Sequence, residues 1–151
     1  MKSLIALSVL LTVSSATVLT RCDVARAVKN SILTAFTKYS VADWVCMAHH
    51  ASKYNTLAKY DERGNNGMTR SAYYGIFQIH SQWWCADTQF PNSPNGCNMN
   101  CNVFLKNGHD LQTDIDCAAI IVNQQGMEAW KSWVDNCKGR FINYYTYFCE
   151  W

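Results

Sequence analysis

The stretch Asn65-Asn66-Gly67-Met68-Thr69-Arg70-Ser71-Ala72-Tyr73-Tyr74-Gly75-Ile76-Phe77-Gln78-Ile79-His80-Ser81-Gln82-Trp83-Trp84-Cys85 marks a change of texture that decides the fold. Asn65, Asn66 and Gly67 form a strong turn signal, and Tyr73, Gly75, Phe77 and Ile79 follow in the period-two alternation of a strand. A small β-hairpin is predicted here. Beyond it, Trp83 to Asn107 contains both prolines, many Asn and three cysteines, which reads as a long irregular loop made rigid by cross-links.

On either side the pattern is helical. Thr20 with Asp23, and Ser40 with Asp43, have capping-box spacing before apolar residues, so two helices start there. A third helix is predicted from about Thr113 to Asn123, with Ile115, Ala118, Ala119 and Val122 on one side. A fourth is predicted from Met127 to Val134, with Trp130 and Trp133. Helices, a hairpin, a cross-linked loop and helices again describe an α+β protein with a helical lobe, a β lobe and a cleft between them.

Lys2, the apolar run from Leu4 to Val13, and the small residues Ser14 and Ala16 read as a signal peptide over 1–16, leaving a single domain over 17–151. The run is too short to span a bilayer and no second one follows, so no membrane anchor is expected. A secreted protein, or one delivered to a secretory-pathway lumen, is the implied product. In that oxidising route the eight cysteines read as four disulfides, because Cys97 and Cys101 lack a second short pair that would complete a zinc site. Removing Lys2 takes the formal charge from +2 to +1, which supplies no basic field for nucleic acid. A monomer without N-linked glycan is expected, since no Asn-x-Ser/Thr sequon occurs.

Over the whole mature chain the residues resemble the chicken-type lysozyme and α-lactalbumin family. The likeness rests on the eight cysteine positions, on Asp43-Trp44-Val45-Cys46, on Tyr74-Gly75-Ile76-Phe77-Gln78-Ile79, on Trp83-Trp84-Cys85, and on Gly126-Met127-Glu128-Ala129-Trp130. It implies a lysozyme-like fold with bridges Cys22 to Cys149, Cys46 to Cys137, Cys85 to Cys101 and Cys97 to Cys117. Cysteine spacing alone leaves 105 pairings open.

The resemblance also implies what is missing. Retaining glycosidases use two carboxyl groups about 5 Å apart, one a protonated acid and one an ionised stabiliser or nucleophile. The positions that would carry them in this family are Ala51 and Tyr73 here. Between Asp43 and Asp87 the only acidic residues are Asp61 and Glu62, expected in a solvated connection before the Asn-Asn-Gly turn. Asp43 lies eight residues from Ala51, about 12 Å along a helix, and is read as a cap.

The sugar-holding positions look better kept. Trp83 and Trp84 match a pair of saccharide-stacking tryptophans, Ala129 and Trp130 the opposite wall, and Gln78 a hairpin glutamine. His80 stands where an asparagine meets an N-acetyl group. Trp44 and Trp133 read as core. Adjacent side chains on an extended segment point opposite ways, so at least one of Trp83 and Trp84 should reach the surface.

The reading is therefore a catalytically silent binder of N-acetylglucosamine-type, peptidoglycan-like or chitin-like glycan, with gamete recognition or defence as settings known among such relatives. One alternative is a muramidase working through unusual groups such as His50, Tyr73 or Glu62. Another is an α-lactalbumin-like regulatory subunit, which His50 resembles but Tyr145-Thr146-Tyr147 does not. No cofactor is expected. Some family members bind calcium in the loop matching residues 106–114. Asp110 and Asp114 remain there, but Gly108 and Thr113 replace carboxylates, so no metal site is expected and Thr113 and Asp114 read as helix caps.

Overall fold

A computed structural model describes residues 5, 8 and 17–151 of the chain. The predicted leader, 1–16, lies essentially outside the described residues. From Thr17 onward the elements follow in the order α1 (Arg21–Lys29), α2 (Val41–Ser52), β1 (Lys59–Arg63), β2 (Thr69–Tyr74), β3 (Ile79–His80), α3 (Gln112–Gln125) and α4 (Lys131–Asn136), with short 3-10 turns between them.

Both capping boxes form. Thr20 Oγ1 accepts from Asp23 N while Asp23 returns a carboxylate oxygen to Thr20 N, and Ser40 and Asp43 do the same for α2. Each box satisfies two amide donors that a helix start otherwise leaves open. Helix α2 is the spine of the helical lobe: Ala42, Trp44, Val45, Cys46, Met47 and Ala48 are all buried, and α1 and α4 pack on it. Asp43 also accepts from the Trp133 indole at 2.9 Å, so one side chain caps α2 and holds α4.

The β lobe differs from the predicted hairpin. It is a three-stranded antiparallel sheet in the order β1-β2-β3, and Asp61 and Glu62 lie in β1 rather than in a solvated connection. The alternation from Tyr73 to Ile79 is not one strand either. The chain turns at 75–78 with Gly75 at φ +77° and Gln78 at φ +52°, dividing β2 from β3. Only glycine fits at 75, because a Cβ there would lie 2.4 Å from the Phe104 carbonyl oxygen and 2.8 Å from Asp114 Oδ1. The close approach of α3 and the 3-10 turn Cys101–Phe104 forces this bend, which local alternation does not reveal.

Two helix boundaries also move. Helix α3 runs on to Gln125. The expected fourth helix is split into a 3-10 turn, Met127–Ala129, and α4, with Trp130 extended between them. Thr113 and Asp114 do not cap α3: its cap is Leu111, without a side-chain bond, while Asp110 accepts from Gln112 N and Thr113 accepts from the Lys106 ammonium.

Four disulfides close the frame: Cys22 with Cys149, Cys46 with Cys137, Cys85 with Cys101 and Cys97 with Cys117. The first two tie α1 and α2 to the C-terminal segment, and the last two lash the 83–107 loop to itself and to α3. Cross-links of this kind stabilise chiefly by restricting the unfolded chain. Among the described residues no helix is long and apolar enough to cross a membrane.

Candidate functional site

The cleft between the lobes is a cavity of about 510 Å³ lined by His50, Ala51, Tyr73, Gln78, Ile79, His80, Trp83, Trp84, Ile121, Gln125, Ala129, Trp130, Lys131 and Ser132. Ala51, Tyr73, Gln78, His80, Trp83, Trp84, Ala129 and Trp130, singled out from sequence, therefore meet in one place with His50, while Glu62 is not on this lining. Its size suits a small ligand.

The helical wall grows out of the core. Trp130 is 6 % exposed and its indole donates to the Phe77 carbonyl at 2.9 Å, linking the lobes beneath the cleft. Trp44 packs edge-on against Phe77 and Trp130 with ring centroids 6.1 and 5.5 Å away. Below Ala51, Ser52 Oγ reaches the Ala48 and Ile76 carbonyls, fixing the end of α2 to the turn of the β lobe. Ala51 leaves only a methyl group on the lining.

The β wall is polar, and its composition follows from strand register. Glu62 faces Ser71 across β1 and β2, and Tyr73 faces His80 across β2 and β3. Because side chains alternate between faces, Glu62, Ser71, Tyr73 and His80 share one face. The Tyr73 and His80 rings stack with centroids 4.2 Å apart and planes 8° from parallel. Behind them, Glu62 Oε2 accepts from Ser71 Oγ at 2.6 Å and lies 3.1 Å from His80 Nε2, which is 2.8 Å from Ser71 Oγ. Arg70 stands 3.5 Å from the other carboxylate oxygen.

These contacts set the charge states. The Ser71 hydroxyl, helped by His80 and Arg70, holds the Glu62 carboxyl below its usual range. Burial lowers the His80 pKa, with Glu62 opposing it. Burial, with Glu62 nearby, raises the Tyr73 phenol, which stays protonated. Across the cleft, burial and then His49 and Arg140 lower the His50 imidazole, whose Nε2 lies 3.3 Å from the Tyr145 hydroxyl. Glu62 itself is not on the lining. Among the described lining residues there is no carboxylate.

The two adjacent tryptophans part as expected: Trp83 is 51 % exposed and Trp84 8 %. Gln78 is less free than its sequence position suggests, since its amide nitrogen donates to the Ala58 and Gly75 carbonyls and so closes the turn. Sequence reasoning missed Ile79, Ile121, Gln125, Lys131 and Ser132 on the lining, and Ser71 behind it. The cross-strand register would have found Ser71, had β1 been recognised.

The 106–114 loop holds its two acids in different settings, with Asp110 accepting from Gln112 N. Asp114 is 1 % exposed, its Oδ1 has no hydrogen-bond partner, and burial pushes its pKa up to about 7. The Lys106 ammonium already occupies the loop by donating to Thr113.

Two lobes with a sugar-sized cleft, four disulfides in this pairing and an aromatic floor define a lysozyme-type protein. The family model for the C-type lysozyme/alpha-lactalbumin family matches residues 17–149, and the chain belongs to that family. It is 40 % identical to the tracheal isozyme of lysozyme C from Bos taurus over 129 residues, 85 % of this chain and 84 % of that protein. It is also 40 % identical to lysozyme C-1 of Mus musculus over 152 residues, 99 % of each. Canine milk lysozyme in its holo form superposes with a TM-score of 0.78 at 38 % identity, covering 90 % of this chain and all of that one.

Proposed function

We propose that this protein is secreted, acts as a monomer, and binds N-acetylglucosamine-containing glycan in the cleft without cleaving it. One observation carries the reading: the exposed Trp83 and its aromatic neighbours line the same cavity from which both carboxyl groups are missing, at Ala51 and Tyr73. Pyranose rings present an apolar C–H face that suits an indole, while Gln125, Ser132, His50 and His80 offer polar partners for the hydroxyls. Cleavage needs a proton donor beside the scissile oxygen and a negative charge beside the developing cation. Neither group is on the lining. The leader over 1–16 and the four disulfides support secretion.

Isothermal titration of the mature protein with chitotriose should give saturable heat, and purified protein should leave bacterial cell walls unclarified. Heat-free mixing at millimolar ligand rejects binding. Clearing that persists through purification rejects the silent reading.

A second reading is a muramidase using displaced groups, and the Glu62 carboxylate 3.1 Å from His80 favours it. A histidine backed by a carboxylate is a competent general acid. Against it stand the lowered pKa of His80, its stacking under Tyr73, and a described lining that includes no carboxylate to face it. Loss of wall clearing in Glu62→Gln and His80→Gln, in a protein that clears, would establish this reading instead.

A further inference from the structure

We infer that the cleft takes glycan bearing a carboxylate in preference to neutral glycan, and takes it more tightly as the pH falls. This rests on the binding reading above and names the ligand class for the same cavity.

The argument begins with the signs of the ionisable groups around the cleft. Those on the lining are His50 from α2, His80 from β3, Lys131 from the start of α4, and the phenol of Tyr73. Three can carry positive charge and none is a carboxyl. A cleft that cleaves sugars with one ionised carboxylate opposes a second on its ligand; with Ala51 and Tyr73 on this lining no such carboxylate stands there. The nearby acids are engaged elsewhere. Glu62 is held by Ser71, His80 and Arg70, Asp43 accepts from Ser40 and Trp133, and Asp135 lies 2.6 Å from Lys131. The Lys131 pair is highly exposed, with 88 % of the lysine side chain accessible, so it is weak and a ligand carboxylate can exchange with Asp135.

The two histidines give the site its pH dependence. His80 is faced by Glu62 from β1, by Arg70, Ser71 and Tyr73 from β2, and by no other charge within hydrogen-bond reach. His50 is faced by His49 on its own helix, by Arg140, and by the Tyr145 hydroxyl. Burial lowers both, so each is neutral at pH 7.5 and charges below the usual histidine range near 6.5. A uronic or lactyl carboxylate, which ionises near pH 3.5, stays negative throughout this window. Acidification therefore adds positive charge to a cavity whose prospective ligand keeps its negative charge.

The test compares ligands of equal length by isothermal titration of the mature protein in about 50 mM salt, where screening is modest. Hyaluronan tetrasaccharide alternates glucuronate with N-acetylglucosamine, and chitotetraose is its neutral counterpart. The expected result is hyaluronan binding that tightens about tenfold from pH 7.5 to 5.0, against less than about twofold for chitotetraose, as the two imidazoles charge. In His50→Gln with His80→Gln, the ratio of the two dissociation constants should no longer change with pH. Equal or weaker hyaluronan binding at both pH values overturns the inference and leaves glycan binding standing. Failure of every ligand overturns both. A hyaluronan preference whose pH dependence survives the double substitution overturns the assignment to His50 and His80.

Discussion

The two places from which the carboxyl groups are missing have been rebuilt in opposite ways. At Ala51, on the helical wall, the side chain is minimal: the helix end is anchored by Ser52 to Ile76, and a methyl group faces the cavity. At Tyr73, on the β wall, the side chain is large, and its ring stacks on His80, whose Nε2 lies 3.1 Å from the Glu62 carboxylate. The helical wall presents a methyl group on an anchored helix end. The β wall carries a stacked ring pair beside a half-exposed carboxylate. The two positions thus differ in their structural surroundings, and placing a carboxyl group at each should differ in difficulty.

The largest expected effect comes from undoing both. Ala51→Glu with Tyr73→Asp should raise wall-clearing activity at least about a hundredfold over the parent, the scale of a positioned acid, measured by turbidity. Ala51→Glu alone should leave the melting temperature nearly unchanged. Tyr73→Asp alone should lower it, because the new carboxylate loses the stacked ring and adjoins Glu62. Equal behaviour of the two single variants would break the contrast.

The two tryptophans that bound the cavity sharpen the same contrast. Trp130→Ala removes a buried ring and its bond to Phe77, and should cost about 3–5 kcal/mol of stability by denaturant titration. Trp83→Ala, at a half-exposed ring, should leave stability within about 1 kcal/mol while weakening chitotriose about tenfold.

Asp114 tests how the β lobe is joined to α3. Its folded pKa of about 7 lies above the ordinary 3.8, so the native state holds a proton that the unfolded chain has already released. The native state is therefore favoured fully below about pH 4 and loses ground until about pH 7, with no further change above. Asp114→Asn carries no such penalty, so its stability gain over the parent should grow between pH 4 and pH 7 and then level off in thermal unfolding.

The smallest effect concerns the screened pair. Glu62 raises the His80 pKa against burial, so Glu62→Gln should make the imidazole titrate at lower pH than in the parent, followed by proton NMR. An unchanged titration would mean that the two groups do not communicate.

Much of this architecture could be read in advance where the cause is local. The capping boxes at Thr20 and Ser40 involve residues three apart, so helix starts were legible from spacing alone. The sheet was harder. The alternation from Tyr73 to Ile79 has the period of a strand, yet the chain bends at Gly75 because Phe104 and Asp114, distant in sequence, press on its backbone. Trp130 looked like a helix residue and is instead the extended link between a 3-10 turn and α4, held by the carbonyl of Phe77.

By itself the sequence determined which chemical groups exist: eight cysteines, six tryptophans, and neither carboxyl at Ala51 or Tyr73. An absent side chain is absent in any conformation, so that conclusion needed no coordinates. Only the tertiary structure decided how the remaining groups are spent. It set Glu62 against His80 through strand pairing, buried Asp114 beneath Gly75, and sank Trp130 while leaving Trp83 in the open. Burial and pairing depend on neighbours far along the chain, and through them the fold assigns each side chain its charge and its exposure.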